Sequence, residues 1–372
     1  QYIGRKDEKS ACKAATQLVW FVSLSAVAIM ILVYFGKDII LNQVFGHITA
    51  EVKGHADIYL LIVTASIPFI ALYNGGAAIF RAMGNSQVSM RVSLLMNAIN
   101  VTGNAILVFG LRIGPAGVAI PTLISRMVAA IVITVLLCNQ TRILHIERTL
   151  KIRFDGRMIR KILAIGVPNG LENSMFQLGK ILVLSLVSTF GTYAIAANAV
   201  SNAIALFQIL PGMAISLAIT TVISQCVGAN DYEQVHYYLK KLLAIIYVAM
   251  VGTVALIFLA LPLILKAYNL SDQTAAAATN IIHFHGISAM IIWPLSFALP
   301  AAYRAAGDAK ACMYTSIVSM WIFRIGFSYL VGKYMGLGVF GVWVAMVIDW
   351  VVRAICFIIR YFNGKWKHGA IV

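Results

Sequence analysis

The chain has 372 residues, of which 61% are hydrophobic and only 11% are charged. Soluble domains have about 45–50% apolar and about 25% charged residues, so this composition excludes an ordinary water-soluble protein. The formal net charge of +16 comes from Lys and Arg clustered between long apolar runs. Because no basic stripe with interleaved aromatic residues accompanies these clusters, we expect no nucleic-acid partner.

Apolar runs alternate with charged breaks along the chain and predict ten membrane-spanning helices. Each span needs about 20 apolar residues to cross a hydrocarbon core of about 30 Å. The predicted spans are 17–36, 54–80, 88–111, 115–139, 162–189, 194–224, 242–265, 275–303, 311–332 and 339–362. The predicted fold class is therefore an all-α integral membrane protein.

The distribution of basic residues predicts the orientation of these spans. If Gln1 is cytoplasmic, the breaks on that side contain 20 Lys and Arg residues and the opposite breaks contain 5. Cytoplasmic loops carry such an excess, so both termini are expected in the cytoplasm. We expect a monomeric, multi-pass protein of the plasma (inner) membrane of a prokaryote, with membrane lipids around it.

Three short motifs occur twice, at an offset of 223 or 224 residues. QYIGRKD at Gln1 resembles QCVGAND at Gln225, RAMGNS at Arg81 resembles RAAGDA at Arg304, and GPAGVA at Gly114 resembles GVFGVW at Gly338. An even number of predicted helices separates corresponding points, so the two halves have the same orientation. This pattern predicts two parallel helical repeats related by an axis along the membrane normal.

The repeat predicts the division of the chain. We expect a shortened N-terminal lobe of four helices at 1–139, a basic cytoplasmic linker at 140–161 and a C-terminal lobe of six helices at 162–372. Two helices, 162–189 and 194–224, precede QCVGAND, whereas no helix precedes QYIGRKD. The symmetry therefore predicts another helical pair upstream, in a complete fold of about 6+6 helices.

Six longer segments resemble one transporter family, the multidrug and toxin extrusion (MATE) transporters. They are PFIALYNGGAAIFRAMGNS, NAINVTGNAILVFGL, GPAGVAIPTLISR, ILAIGVPNGLENSMF, VISQCVGANDYEQV and GVWVAMVIDWVVRA. The resemblance implies a secondary active transporter that exports organic cations or other amphiphilic drugs by alternating access. It also implies exchange for Na⁺ or H⁺, with no cofactor besides that coupling ion. A membrane-embedded enzyme is not expected, because the sequence offers no nucleophile with a base and no convergent metal ligands at helical spacing. A channel is not expected either, since the sequence has only isolated charges and no charged ring.

A polar stripe on the fifth predicted span is the first candidate site. Glu172 lies about 15 Å into the span at about 1.5 Å per residue, and Asn169, Asn173 and Lys180 lie on the same side. The stripe predicts a cation or proton site, with Glu172 as the carboxylate and the two asparagines as neutral ligands. Pro168 frees a backbone carbonyl that adds a possible oxygen ligand. The alternative is an ion pair of Glu172, with Lys180 or across helices, that only fixes packing.

The last two spans carry the second group of candidate residues. Arg324 and Asp349 lie at similar depth on antiparallel neighbours, so we expect them to pair, with Arg353 as a competing partner. A carboxylate beside two guanidinium groups stays ionised. A structural ion pair is therefore favoured over a coupling site.

The first half contains a neutral candidate site. Asn100 and Asn104 share one helix face, and Thr122 lies on the next span. The family resemblance implies a first-lobe cation site at these positions, joined by a carboxylate from the first helix. Here Asn104 stands where some members carry Asp, and that helix is absent. Hydrogen bonds between helices are the alternative role.

Two histidines and four basic residues also lie within the predicted spans. His283 and His285 point about 200° apart on a helix and cannot share one metal ion, although either can relay a proton. A second functional hypothesis is a flippase for a lipid-linked oligosaccharide or related amphiphile. Such a flippase would gather basic residues, whereas the intramembrane ones here are spread over four helices, which favours the exporter. These residues are Arg126, Lys180, Arg324 and Arg353.

Overall fold

A computed structural model describes residues 1–44, 49–147 and 153–371. These residues form helices and turns and include no β-strand, which confirms the predicted all-α fold. Part of the predicted linker, residues 148–152, lies outside the described residues. The α-helices are α1 (Glu8–Ile39), α2 (Ala50–Ala65), α3 (Ile67–Ala82), α4 (Ser86–Asn104), α5 (Ala116–Leu137), α6 (Gly156–Ser188), α7 (Thr192–Gly228), α8 (Tyr232–Ala267), α9 (Asp272–Trp293), α10 (Leu299–Ala305), α11 (Ala309–Ser319) and α12 (Gly338–Asn363).

Several helices continue into π-helical segments, in which the hydrogen-bonded turn is one residue wider. These segments are Ile40–Val44 after α1, Ala105–Gly110 after α4, Pro294–Ala298 after α9, and Met320–Gly326 with Ser328–Tyr334 after α11. In the described residues, nine helical stretches are long and apolar enough to cross a membrane. Helix α6 has 33 residues but is not among them. Its polar side chains, including Asn169 and Glu172, lower its hydropathy.

Capping residues explain why two helices begin earlier than predicted. The Asp7 side chain accepts from the Ser10 amide at 3.0 Å, so α1 begins well before the apolar run. Asp231 accepts from the Gln234 amide at 3.0 Å and likewise begins α8 early. Aspartate at an N-cap satisfies one amide that the helix leaves unpaired. Apolar runs therefore predicted the membrane-embedded parts of these helices and missed their polar first turns.

The second predicted span consists of two helices. Ser66 separates α2 from α3, and Pro68 follows within the first turn of α3. The missing amide of proline is tolerated at that position because no intrahelical partner is required there. The break brings the Ser66 hydroxyl within hydrogen-bond distance of Arg126 on α5.

The chain divides into two compact units, here named the N-unit and the C-unit. The N-unit contains Tyr2 and residues Lys6–Ile162. The C-unit contains Gln1, Ile3–Arg5 and the chain from Leu163 onward. In the N-unit, α3 packs against α1 and α5, and α4 packs against α5. In the C-unit, α7 packs against α8, α9 and α10, and α9 packs against α12.

The repeated RAxG motifs form the same turn in both units. In the N-unit the Asn85 amide donates to the Phe80 carbonyl at 2.9 Å, and in the C-unit the Asp308 amide donates to the Tyr303 carbonyl at 2.8 Å. The glycine before each of these amides has a positive φ, 77° and 94° respectively. Glycine adopts this conformation without a Cβ clash and ends the helix.

The π-helical ends of α4 and α11 are also equivalent. The Leu111 amide donates to the Ile106 carbonyl at 3.0 Å, and the Met335 amide donates to the Leu330 carbonyl at 2.9 Å. Both hydrogen bonds span five residues, and the two sets differ by the 224 residues of the sequence repeat. The repeated motifs therefore encode repeated backbone geometry, including an irregular feature that hydropathy does not reveal.

The two copies of the first motif contact each other within the C-unit. A Cβ atom on Gly4 would meet the backbone of Gln225, and a Cβ atom on Gly228 would meet the backbone of Gln1. The contacts are reciprocal because each glycine faces the glutamine of the other copy. Only glycine allows the two backbones to approach this closely.

Candidate functional site

The first-half candidates form one chain of hydrogen bonds in the N-unit. The Asn104 amide group donates to Asn100 Oδ1 at 3.1 Å, and the Asn100 amide group donates to Thr122 Oγ1 at 3.1 Å. Thr122 Oγ1 donates in turn to the Val118 carbonyl at 3.0 Å. Asn104 Oδ1 is buried, and no hydrogen-bond partner for it is found among the described residues. The structure thus brings the three predicted side chains together as neutral oxygen and nitrogen groups.

A close helix contact positions this chain. A Cβ atom on Gly103 would lie 2.7 Å from Cβ of Pro121, so only glycine fits against α5 at this point. Both residues are next to members of the chain, and the close approach of α4 and α5 brings Asn100 within reach of Thr122. Small residues at helix contacts commonly allow such hydrogen bonds in membranes.

Arg126 has a partner that sequence analysis did not predict. Its Nη1 donates to Ser66 Oγ at 2.7 Å, at the break between α2 and α3. Ser66 is fully buried. The only sequence signal was the Ser-Ile-Pro order at the break, which indicates a turn or a helix start. The hydrogen bond anchors Arg126 inside the N-unit.

Glu172 in the C-unit pairs with Arg304. Arg304 Nη2 donates to Glu172 Oε1 at 2.9 Å, and the two side chains are 23% and 13% exposed. Arg304 lies in the last turn of α10, where a cation also interacts favourably with the helix dipole. Glu172 Oε2 and Arg304 Nε are buried without a hydrogen-bond partner among the described residues. One carboxylate oxygen of Glu172 therefore accepts a hydrogen bond, and the other has no hydrogen-bond partner among the described residues.

The other members of the predicted stripe do not join this pair. Asn173 Nδ2 donates to the Asn169 backbone carbonyl at 2.8 Å, and both asparagines are exposed. Lys180 lies over the Phe176 ring, with Nζ 5.0 Å from the ring centroid. The pairing of Glu172 with Lys180, one of our alternatives, is thus corrected, because Lys180 lies two turns further along α6 and Arg304 reaches the carboxylate from another helix.

Asp349 pairs with Arg353 rather than Arg324. Arg353 Nε donates to Asp349 Oδ1 at 3.0 Å, and Ser319 Oγ donates to the same oxygen at 2.5 Å. The carboxylate is fully buried and Arg353 is 2% exposed, which corrects the predicted Arg324–Asp349 pair. The reason is local geometry, since residues four apart on a helix are neighbours. Asp349 Oδ2 is buried and has no partner among the described residues.

Arg324 instead belongs to a group of cations around Phe176. Its guanidinium carbon lies 5.0 Å from the ring centroid, and that of Arg353 lies 5.9 Å away. With Lys180, three of the four intramembrane basic residues meet at one ring. The expectation that these charges are dispersed is therefore corrected. Separate helices carry them, but helix rotation brings them together, and one sequence does not specify that rotation.

The two histidines of α9 have separate hydrogen-bond partners. His285 Nδ1 lies 2.5 Å from Gln208 Oε1, and His283 Nδ1 lies 2.8 Å from the Thr279 carbonyl. Gln208 Nε2 donates to the Ile282 carbonyl at 3.2 Å, which turns its oxygen toward His285. Each histidine therefore donates from Nδ1. Within the described ranges, no group of three or more His, Cys, Asp or Glu side chains could hold a metal ion.

Comparison with known proteins identifies the family. A sequence model of the MatE family matches residues 1–106 and 168–330. The uncharacterized transporter YisQ of Bacillus subtilis is 27% identical over 378 residues, which cover 98% of this chain and 80% of that protein. The probable multidrug resistance protein NorM of Thermotoga maritima is 22% identical over 369 residues, which cover 97% of this chain and 78% of that protein.

Solved structures give the same result for the fold. A structure described as the outward-facing conformation of a multidrug resistance MATE family transporter of the MOP superfamily matches with a TM-score of 0.89 and 22% identity. The match covers 97% of this chain and 80% of that one. The apolar helices agree with a multi-pass membrane protein. Because the family model matches well over half of the residues, the chain belongs to the MatE family of multidrug and toxin extrusion transporters.

Proposed function

We propose that this protein is a secondary active transporter that exports organic cations or other amphiphilic drugs in exchange for Na⁺ or H⁺ by alternating access. The names of relatives such as the NorM protein of Thermotoga maritima support small organic substrates. The observation that carries the coupling proposal is the half-satisfied carboxylate of Glu172, whose Oε2 is buried without a partner among the described residues.

The Glu172 carboxylate can exchange Arg304 for a proton or Na⁺ as its partner. Arg304 occupies one oxygen of Glu172, and a proton or Na⁺ at the other oxygen would weaken the attraction to Arg304. Substrate cation and coupling ion would then compete for the same negative charge. Intramembrane carboxylates are costly, and transporters commonly use them for this purpose. The alternative is that the Glu172–Arg304 pair only fixes packing.

Efflux separates the two alternatives. The full-length protein is expressed in a pump-deficient bacterium, and ethidium efflux is followed with and without Na⁺ or a protonophore. We expect Glu172→Gln to lose ion-dependent efflux at unchanged protein level, because the amide cannot exchange a proton or hold Na⁺ as a carboxylate does. Glu233→Gln, an exposed position at the start of α8, is the matched control and should retain efflux. Normal ion-dependent efflux by Glu172→Gln contradicts the coupling role.

A flippase for a lipid-linked oligosaccharide or related amphiphile is the second candidate function. The observation in its favour is the convergence of Lys180, Arg324 and Arg353 on Phe176. Basic residues gathered within a membrane protein suit an anionic head group. Ion-dependent ethidium efflux would favour the exporter, whereas its absence in a well-folded protein would favour the flippase.

A further inference from the structure

Three cationic side chains lie around the uncharged aromatic ring of Phe176. Lys180 Nζ and the Arg324 guanidinium carbon each lie 5.0 Å from the ring centroid, and the Arg353 guanidinium carbon lies 5.9 Å away. The face of an aromatic ring attracts cations through its quadrupole. However, the ring carries no net charge, so it cannot neutralise three positive charges.

The carboxylates of the C-unit leave this group with an excess of positive charge. Asp349 is bound by Arg353, Glu172 is bound by Arg304, and Asp308 is bound by Arg360. Among the described residues, neither Lys180 nor Arg324 belongs to an ion pair. Two cations therefore adjoin the ring without a carboxylate of their own. Like charges gathered around one ring repel each other, and an anion between them would relieve that repulsion.

The group lies deep in the predicted spans. Arg324 lies in the π-helical segment Met320–Gly326, well inside its span and a full segment away from the Tyr334 end, and Asp349 lies near the middle of α12. A charged side chain at such a depth is costly and commonly marks a substrate path. A purely structural role would need only the Asp349–Arg353 pair.

Exposure differs systematically within the group. Asp349 and Arg353 are buried, Phe176 and Arg324 are partly buried, and Lys180 is exposed. A ligand can therefore approach Lys180 and Arg324 without displacing the buried pair. The arrangement combines two donors of charge-assisted hydrogen bonds with an apolar ring, as an amphiphile with an anionic group requires.

We propose that Lys180 and Arg324, together with Phe176, form a subsite for the anionic group of an amphiphilic substrate, a carboxylate, sulfonate or phosphate. This inference rests on the proposed transport function and extends its substrates from cations to anionic and zwitterionic compounds. Arg353 and Asp349 are positioning residues that hold the inner side of the subsite. The phosphate of an anionic lipid has the same chemistry as that of a free amphiphile, so the test must separate the two sources.

Equilibrium binding tests the subsite without an ion gradient. The full-length protein is placed in phosphatidylcholine nanodiscs, and binding of carboxyfluorescein is followed by fluorescence polarisation. We expect Lys180→Gln and Arg324→Gln each to weaken binding by about tenfold, the loss of one charge-assisted contact. Lys180→Arg keeps the charge and should bind within about threefold of the wild type. Lys310→Gln, at an exposed lysine on α11, is the matched control and should bind normally.

Nanodiscs that contain phosphatidylglycerol identify the source of the anion. Weaker carboxyfluorescein binding in these discs, with the difference lost in Lys180→Gln, shows that lipid phosphate occupies the subsite. Equal binding in both lipids assigns the subsite to free substrate. The exposed position of Lys180 makes Lys180→Gln the variant least expected to disturb folding.

Three results would overturn the proposal: no carboxyfluorescein binding by the wild type, wild-type affinity in Lys180→Gln, or an equal loss in Lys310→Gln. The binding assay needs neither Na⁺ nor a proton gradient. A failure of ion-coupled efflux with intact, Lys180-dependent binding would therefore reject the proposed coupling and leave the anionic subsite standing.

Discussion

The two units carry the same turns but different chemistry at equivalent positions. At the repeat offset of 224 residues, Asn100 of the N-unit corresponds to Arg324 of the C-unit, and Ser125 corresponds to Asp349. Asn100 bonds to a neutral hydroxyl, whereas Arg324 lies over an aromatic ring beside other cations. Backbone geometry is therefore shared between the repeats, while charge is not.

The two units also differ in charge at the buried positions one turn further along these helices. Ala129 occupies the position that corresponds to Arg353, so the Asp349–Arg353 ion pair has no counterpart at Ser125 and Ala129. Ser125 donates to the Thr122 carbonyl at 3.0 Å and needs no counterion. The same helical scaffold therefore holds a neutral hydrogen-bond chain in one unit and a charged cluster in the other. Substitutions at matched positions should therefore have unequal effects.

The largest expected difference is between Asp349→Ala and Ser125→Ala. Removal of Asp349 leaves Arg353 buried without its carboxylate, which should lower the free energy of unfolding by about 3–5 kcal/mol. Removal of the Ser125 hydroxyl should cost about 1 kcal/mol. Unfolding in detergent, followed by circular dichroism, measures both. Equal losses of unfolding free energy in the two variants would contradict the proposed difference between Asp349 and Ser125.

A steric test concerns the contact that positions the neutral chain. Gly103→Ala places a Cβ atom against Pro121 and should destabilise the protein by about 1–3 kcal/mol through overpacking. Gly110→Ala is the control, since a Cβ atom there would meet nothing within 4 Å. The same unfolding measurement applies. A Gly103→Ala variant as stable as Gly110→Ala would show that α4 and α5 approach less closely than described.

A smaller loss of stability is expected when the hydrogen-bond chain of Asn104, Asn100 and Thr122 is shortened. Asn104→Ala removes the donor to Asn100 Oδ1 and should cost about 1 kcal/mol. Asn173→Ala, at an exposed asparagine of the C-unit, should change stability by less than about 0.5 kcal/mol. A larger loss of stability in Asn104→Ala than in Asn173→Ala would support a stabilising role for the hydrogen bonds of Asn104. The reverse order would mean that these hydrogen bonds contribute little to the stability of the N-unit.

The smallest effect concerns acid stability. The side-chain hydrogen bond from Lys13, with the backbone amide of Met158, holds the pKa of Asp155 below its ordinary value. The stabilising contribution is therefore complete above the ordinary aspartate pKa of about 3.9 and is lost as the pH falls through the lower folded value. Thermal unfolding between pH 6 and pH 3 should show Asp155→Asn to be less stable at pH 6, with the difference shrinking toward pH 3. A difference independent of pH would contradict this assignment.

The sequence predicted the fold and the residues of the neutral chain. Apolar run length defines membrane spans, and the four-residue spacing of Asn100 and Asn104 places them on one face. The break at Ser66 was not predicted, because hydropathy averages over it. The π-helical segments were also missed, since their hydrogen bonds leave no mark in composition.

Partners across helices could not be predicted from one sequence. The Glu172–Arg304 pair joins residues 132 positions apart, and its geometry depends on how two helices are rotated. Phe176 was overlooked because an aromatic residue on a predicted span is unremarkable. Its spacing was the available signal, since it lies four residues after Glu172 and four before Lys180 and so shares their helix face.

The reciprocal contacts of Gly4 with Gln225 and of Gly228 with Gln1 have an evolutionary consequence. Contacts in which both partners use the same surface patch are characteristic of isologous homodimers. If an ancestral chain with a single motif formed a homodimer through this contact, any substitution of its glycine would have changed both halves of the interface. If duplication of such a chain produced the present one, Gly4 and Gly228 would now be separate genetic positions, so that a mutation at one would leave the other intact.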